Sequence, residues 1–180
     1  EHLDLAGEPA LAVAQYIAGA QAEQSAGAHA EATTLLDRAI GLLDDLPECD
    51  ERDLGELTAR MLRAFSLSSM QGYAAPEVQL DHRRAEALTA RLGSRPEVLP
   101  SLIAIWAYWF TSGDLGTSAS LVDRLRGMVE QDEFVWFLPE VEACAGFQHL
   151  YEGELAFAQA HLERSMEGFL ARPADQVVSP

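Results

Sequence analysis

Apolar residues along this chain recur with the period of an α-helix. Leu36, Ile40 and Leu43 fall at i, i+4 and i+7, a spacing that places them on one helical face. Leu35 and Leu42 belong to a second stripe beside the first, and so wide an apolar face indicates a helix packed on two neighbours. The two-residue alternation of a half-buried strand is not found. The pattern therefore predicts an all-α protein.

Glycines interrupt the periodic segments at regular places. A glycine follows each of five segments, where a helix C-cap commonly places one. These glycines are Gly27, Gly72, Gly93, Gly113 and Gly153. The segments between the breaks predict about eight helices joined by short loops, and short loops make successive helices antiparallel. The predicted helices span residues 8–25, 28–45, 52–70, 75–92, 97–112, 115–130, 138–151 and 155–170.

The predicted helices pair into repeated hairpins. Four stretches share the order helix, glycine, second helix, with the glycines at 27, 72, 113 and 153, which are 45, 41 and 40 residues apart. Fixed spacing of this kind is typical of helical repeat proteins. The repeats are predicted over residues 8–46, 52–92, 97–131 and 138–171, within a single domain that covers 1–180.

These repeats resemble the tetratricopeptide family, and the last one matches its pattern best. Gly146 takes the small position of the first helix, Gly153 the turn, Ala158 the small position of the second helix and Leu162 the next core position. Small residues there allow two helix backbones to pack closely. The departures from the pattern are Glu23 in place of an aromatic residue, and Ser118 and Ser165 in place of alanine. The resemblance implies helix hairpins stacked into a right-handed superhelix.

A narrower resemblance covers most of the chain. Its most specific segment is Gly72-Tyr73-Ala74-Ala75-Pro76-Glu77-Val78. The other segments are 42–51, 91–93, 105–107, 112–115 and 160–164. Together they are similar to the helical region of large bacterial signalling ATPases of the STAND type, many of which also carry a nucleotide cyclase domain or a LuxR-type helix-turn-helix. The resemblance implies a regulatory or sensor region that acts with adjacent domains. Because the chain begins at Glu1 rather than Met, we expect it to be part of a longer protein.

The charge of the chain limits its partners. It carries 29 acidic against 12 basic residues, a net charge of −17. So acidic a surface repels phosphate backbones and anionic lipid, which argues against direct nucleic-acid or membrane binding. No apolar run approaches the roughly 20 residues that span a bilayer. The only cysteines, Cys49 and Cys144, are far apart in sequence, which fits a cytoplasmic protein without a disulfide framework.

Motifs for catalysis, cofactors or metals are lacking. The sequence has no phosphate-binding glycine loop, no Cys-x-x-Cys and no pair of histidines at i, i+4, so we predict no cofactor, no metal site and no enzymatic activity. Two alternatives stay open. The basic segment His82-Arg83-Arg84 either grips an anionic partner or forms a solvated face with modest ion pairs from Arg84 to Glu77 or Asp81. Cys144 is either reactive or, as its neighbours favour, a small core residue.

The family resemblance also implies where a ligand would bind, because the first helix of each tetratricopeptide hairpin lines a concave groove. The groove residues implied by register are Gln21, Gln24, Ser66, Ser69, Met70, Trp109, Phe110, Phe147, Leu150 and Tyr151. The aromatic residues among them belong either to this groove or to the core between hairpins. A groove that is polar at one end and aromatic at the other suits a peptide, a partner helix or a small amphipathic ligand. The leading prediction is a sensor and protein-interaction module. The alternative is a scaffold for self-association as a homodimer.

Overall fold

The structure, a computed structural model, describes residues 9–172, apart from the side chains of Asp132 and Glu133. This stretch contains eight α-helices, two short 3₁₀ helices and no strand, which confirms the all-α prediction and the number of helices. The α-helices are α1 Pro9–Ser25, α2 His29–Asp44, α3 Asp50–Gln71, α4 Pro76–Leu92, α5 Leu99–Thr111, α6 Leu115–Val129, α7 Leu138–Glu152 and α8 Leu155–Ala171. The 3₁₀ helices are Pro96–Val98 and Asp132–Phe137.

Side chains at the first turns explain where several helices begin. Cys49 caps α3, and its sulfur accepts a hydrogen bond from the Arg52 N–H at 3.5 Å. Asp114 caps α6 and accepts from the Thr117 N–H at 3.0 Å. Pro76 and Pro139 occupy first-turn positions of α4 and α7, where the missing N–H costs no helical hydrogen bond.

The five predicted glycines are also the residues with positive φ in the described chain, with values between 71° and 87°. Gly153 illustrates the reason. It ends α7 in the left-handed region, and its N–H reaches the carbonyls of His149 and Leu150. A side chain would strain that backbone, so glycine sets the length of the loop and the return of α8 along α7.

The chain divides between Ser101 and Leu102 into two compact units. In the first unit α1 packs on α2, α2 packs on α3, and α3 packs on α4. Leu36, Ile40 and Leu43 of α2 are buried. The two contacts of α2, with α1 and with α3, account for the width of its apolar face. A single domain and a superhelix over the whole chain stay predictions.

Buried ion pairs join α3 to α4 in addition to the apolar contacts. Glu56 is fully buried and meets Arg84 at 2.7 Å and Arg60 at 2.9 Å. Asp81, also fully buried, meets Arg60 at 3.0 Å and Arg63 at 2.7 Å. Glu56 of α3 is therefore held by arginines of both helices, whereas Asp81 of α4 is held by two arginines of α3. These pairs offset the cost of burying the two negative charges.

In the second unit the α7–α8 hairpin follows the predicted small-residue pattern. A Cβ on Gly146 would lie 2.6 Å from the Cγ of Leu162, so only glycine allows the observed approach. Ser165, one of the departures from the repeat pattern, is buried and donates to the carbonyl of Pro139 at 2.8 Å. Ser118 is likewise buried and donates to Gln148 at 2.8 Å. A serine fits these positions because its hydroxyl finds an acceptor on the facing helix.

Candidate functional site

Three of the predicted groove residues lie together in the second unit. Phe110 of α5 lies 4.6 Å from Tyr151 of α7, in an edge-to-face arrangement, and 6.5 Å from Phe147 between ring centroids. Tyr151 is 65% exposed and Phe147 43% exposed, whereas Phe110 is half-buried. We call the surface formed by Phe110, Phe147 and Tyr151 the aromatic face. Two of its rings are exposed to solvent and the third is half-buried.

A buried aromatic layer supports this face. Trp106 is buried and stacks on Phe110, with ring centroids 5.0 Å apart and planes 22° apart. Trp109 is also buried and contacts Tyr108 edge-to-face at 5.0 Å. Trp109 thus supports the packing rather than lying on the exposed surface. Phe110 thus contacts both the buried Trp106 and the exposed Tyr151.

The buried aromatic layer also contains polar indole groups. The indole N–H of Trp106 is buried and finds no acceptor among the described residues. A buried donor without an acceptor costs about 1–3 kcal/mol. Such groups are rare in folded proteins, and they are often found where a ligand or an ordered water supplies the missing acceptor. Trp106 stacks on Phe110, so this unsatisfied donor belongs to a residue that contacts the aromatic face.

The remaining predicted residues divide between packing and surface. Gln24 of α1 donates to the Leu62 carbonyl at 2.7 Å and to Ser66 of α3 at 2.8 Å, and Ser66 is fully buried. Gln24 and Ser66 therefore join α1 to α3. The other predicted groove residues of the first unit are exposed; they are Gln21, Ser69 and Met70. Leu150 points to α8, where it lines a shallow depression with Leu155, Leu162 and Met166.

The basic segment His82-Arg83-Arg84 is tied into the α3–α4 hairpin. His82 is buried, and its Nδ1 lies 2.8 Å from the Val78 carbonyl. Arg84 forms two hydrogen bonds to Glu56, both 2.7 Å long. The prediction of modest surface pairs from Arg84 to Glu77 or Asp81 was wrong, because Glu56 reaches it from the neighbouring helix, 28 residues earlier. Arg84 is thus committed to a carboxylate of its own chain.

Burial and ion pairing shift the pKa values of three groups. Burial favours the neutral form of Glu56, but hydrogen bonds from Arg84 and Arg60, together with their charges, outweigh it and lower its pKa from 4.5 to about 2. Burial lowers the pKa of His82 below 6.5, against the raising effects of the Val78 carbonyl and Asp81. Burial raises the pKa of the Cys144 thiol to about 12, and Glu140 adds to the effect. Cys144 is therefore the inert core residue that its neighbours favoured.

One group of side chains has donors suited to a metal ion. His149, Glu152 and Glu154 bring their donor atoms within 4.8 Å of one another at the α7–α8 turn. The Nδ1 of His149 already lies 2.7 Å from Glu154, and Glu152 accepts a hydrogen bond from Gln148 at 2.6 Å. The sequence search for histidines at i, i+4 missed this group, because the turn at Gly153 rather than a helical period brings it together. His149 and Glu152 in this group thus already take part in hydrogen bonds with side chains of the same hairpin.

A further apolar surface on α8 was not predicted. We call Leu155, Leu162, Met166 and Leu170 the α8 stripe, because their spacing of seven, four and four residues keeps them on one helical face. Leu155 is 64% exposed and Leu170 80% exposed. The periodicity of α8 was visible in the sequence. Which side of the helix stays uncovered was not.

No protein-family model, curated protein or solved structure matches the chain. Within residues 9–172, every helix is too short or too polar to cross a lipid bilayer.

Proposed function

We propose that this chain is a binding module that takes an apolar segment of a partner protein on its aromatic face. The observation that carries the proposal is the exposed cluster of Phe110, Phe147 and Tyr151. Exposed aromatic rings on rigid elements are typical of interaction surfaces, because they bury a large area for little loss of side-chain entropy. The partner we propose is a peptide or a helix with two or three apolar anchors.

The proposal assigns the chain to a regulatory role. The resemblance to the helical region of STAND signalling ATPases supports a cytoplasmic tetratricopeptide-like stack that responds to a bound partner and acts on adjacent domains of the same protein. A partner that prefers one curvature of the stack would change the activity of those domains. The net charge of −17 supports a protein or amphipathic partner over nucleic acid or a membrane surface. The proposal includes no catalytic step and no cofactor.

A displayed peptide library gives a direct test of the aromatic face. Peptides of about 16 residues, long enough for four helical turns, would be selected on the wild-type chain. Their affinities would then be compared with those for the Phe110→Ala/Tyr151→Ala variant. We expect the selected peptides to lose about tenfold or more in affinity, equivalent to at least about 1.4 kcal/mol, and circular dichroism to show an unchanged helical content.

The control removes two exposed aromatic side chains elsewhere. Phe65 and Tyr73, 56% and 59% exposed, lie in the first unit, and the Phe65→Ala/Tyr73→Ala variant should bind the selected peptides as the wild type does. Equal affinity for all three proteins, or an equal loss in both variants, would contradict the proposal.

The α8 stripe favours self-association as a second candidate function. Three exposed residues of this stripe, Leu155, Met166 and Leu170, would be covered in a dimer that pairs α8 with α8 of a second copy. Light scattering during size-exclusion chromatography would measure the mass across a hundredfold range of concentration. We expect a dimer that the Met166→Glu/Leu170→Glu variant dissociates, whereas the same charges at exposed Thr34 and Gln79 of the first unit leave it intact. A wild-type chain that stays monomeric throughout would exclude this candidate.

A further inference from the structure

The first unit contains an apolar cavity of about 430 Å³. Val13, Ala14 and Ile17 of α1 form one wall. Leu43 at the end of α2, with Leu46 and Pro47 of the following loop, forms the other. This volume lies within the range of small-molecule sites, which are mostly apolar with a few polar groups. The cavity is remote in sequence from the aromatic face, and it is independent of the proposed function.

The polar residues that line the cavity are Cys49, Glu51 and Arg52 at the start of α3. Arg52 offers no free charge, because its guanidinium meets Asp53 at 3.0 Å and Glu56 at 2.9 Å. Its Nε also donates to the Leu43 carbonyl at 3.1 Å. Glu51, in contrast, is exposed and has no ion pair within the described chain. The uncompensated charge at the cavity is therefore negative.

The position of Glu51 in the first turn of α3 also favours a cationic ligand over an anionic one. A helix N-terminus carries a partial positive charge that favours anions, but the first turn of α3 already holds Asp50, Glu51 and Asp53. Asp53 is paired with Arg52 and Arg91, and Asp50 with Arg95, so Glu51 is the carboxylate of this turn that a ligand in the cavity would meet. The net charge of −17 adds a long-range attraction for cations.

We propose that this cavity binds a small cationic amphiphile, with its apolar body between α1 and the α2–α3 loop and its ammonium group at Glu51. An apolar body alone fits the walls, and the charge decides which headgroup is accepted. A neutral ligand of the same shape binds more weakly because Glu51 gains no partner from it. An anion binds most weakly because it adds a like charge beside Glu51.

Two probes with one tail and opposite headgroups test the proposal. Octylammonium and octanoate share an unbranched apolar chain, so a difference in calorimetric affinity reports the headgroup. We expect octylammonium to bind the full chain at least about tenfold more tightly, equivalent to about 1.4 kcal/mol. Glu51→Gln should reduce the ratio of the two affinities to near one. Glu77 is an exposed acid in the first turn of α4 and does not line the cavity, so Glu77→Gln should leave the ratio unchanged.

A matched pair of variants tests the location. Ala14 lines the cavity, whereas Ala18, exposed on the same helix, does not. Ala14→Phe fills the space and should abolish binding of octylammonium, and Ala18→Phe should retain it. Cys49 gives a second readout, because bound octylammonium should slow its reaction with a maleimide severalfold in the wild type and not in Ala14→Phe.

Three results would overturn the proposal. Equal affinities for octylammonium and octanoate would remove the role of Glu51. Equal loss in Ala14→Phe and Ala18→Phe would place the binding elsewhere. Binding seen only when Leu3 and Leu5 are replaced by serine would assign the cavity to residues 1–8 of the chain itself.

Discussion

Gly146 shows how a single residue limits the approach of two helices. The backbone of α7 at this position lies against Leu162 of α8, and an added Cβ would fall 2.6 Å from one side-chain carbon and 3.2 Å from the Leu162 backbone nitrogen. The nitrogen belongs to a helix and cannot move alone. An alanine would therefore push α8 away from α7.

The Gly146→Ala substitution should destabilise the second unit. We expect a loss of about 2 kcal/mol in the free energy of unfolding, in the range of other overpacked cores. The control is Gly41→Ala in the interior of α2, where a Cβ would meet nothing within 4 Å. That change should raise the free energy of unfolding by about 0.5–1 kcal/mol, because alanine favours the helical conformation more than glycine does. Urea unfolding of both variants measures the difference. A Gly146→Ala protein as stable as Gly41→Ala would contradict the close approach.

The two cysteines differ in exposure, and this predicts their reactivity. Cys49 is exposed and Cys144 is buried, with burial raising the pKa of Cys144 to about 12. Because only the thiolate reacts, we expect a disulfide reagent to modify one thiol in the native chain and two in denaturant. In the Cys49→Ser variant, the reagent should modify no thiol in the native chain and one thiol in denaturant. Rapid native modification of two thiols in the wild type would show that Cys144 is accessible.

The α3–α4 hairpin is an element whose charges, rather than its apolar face, distinguish it. Glu56 and Asp81 are fully buried, and their arginines come from within α3 and from α4. A helix pattern read from the sequence marks these positions as polar and therefore as solvent-facing. The structure shows the opposite. Acidic and basic side chains of two facing helices meet in pairs, and the paired carboxylates can be buried.

Glu56→Gln should destabilise the hairpin and change its response to acid. The pKa of Glu56 in the folded chain, about 2, lies below its ordinary 4.5. Its ionisation therefore stabilises the fold above pH 4.5, by about 3 kcal/mol. That stability is lost as the pH falls from 4.5 toward 2. We expect the free energy of unfolding of the variant to be lower by about 3 kcal/mol at pH 7. Between pH 4.5 and 2 it should fall less than that of the wild type.

Chemical denaturation across this pH range tests the prediction. The Glu77→Gln variant, which removes an exposed acid from the first turn of α4, is the control and should follow the wild type. If Glu56→Gln also follows the wild type at every pH, the buried pairs do not contribute to stability.

At the scale of the whole molecule, the net charge of −17 opposes compactness through self-repulsion. Raising the ionic strength from about 0.01 M to about 1 M shortens the Debye length from about 30 to about 3 Å. We expect the melting temperature to rise by about 3 °C, the shift that about 1 kcal/mol produces in a chain of this size. A variant with exposed Asp123, Glu130 and Glu167 changed to amides should show a smaller rise. A melting temperature that falls with salt would mean that attractive surface pairs dominate.

Sequence periodicity predicted the elements of this protein closely, and it predicted its surfaces only in part. Each predicted helix boundary lies within about two residues of the observed one, because the local signals for a helix end, above all the glycines, act within one turn of the chain. The aromatic residues were harder. Trp109 and Phe110 are adjacent in sequence, yet the first is buried and the second reaches Tyr151.

The sequence by itself determined that the chain is all-α, where its helices begin and end, and which small residues permit close packing, since all of these depend on neighbours a few residues away. The tertiary structure decided which polar residues are buried and which apolar residues are exposed. Glu56 finds Arg84 across 28 residues, and Gln24 finds Ser66 across 42. The α8 stripe and the cavity beside Glu51 are likewise set by which helices lie beside them. Such partners lie on different helices, and no local pattern specifies how those helices pack.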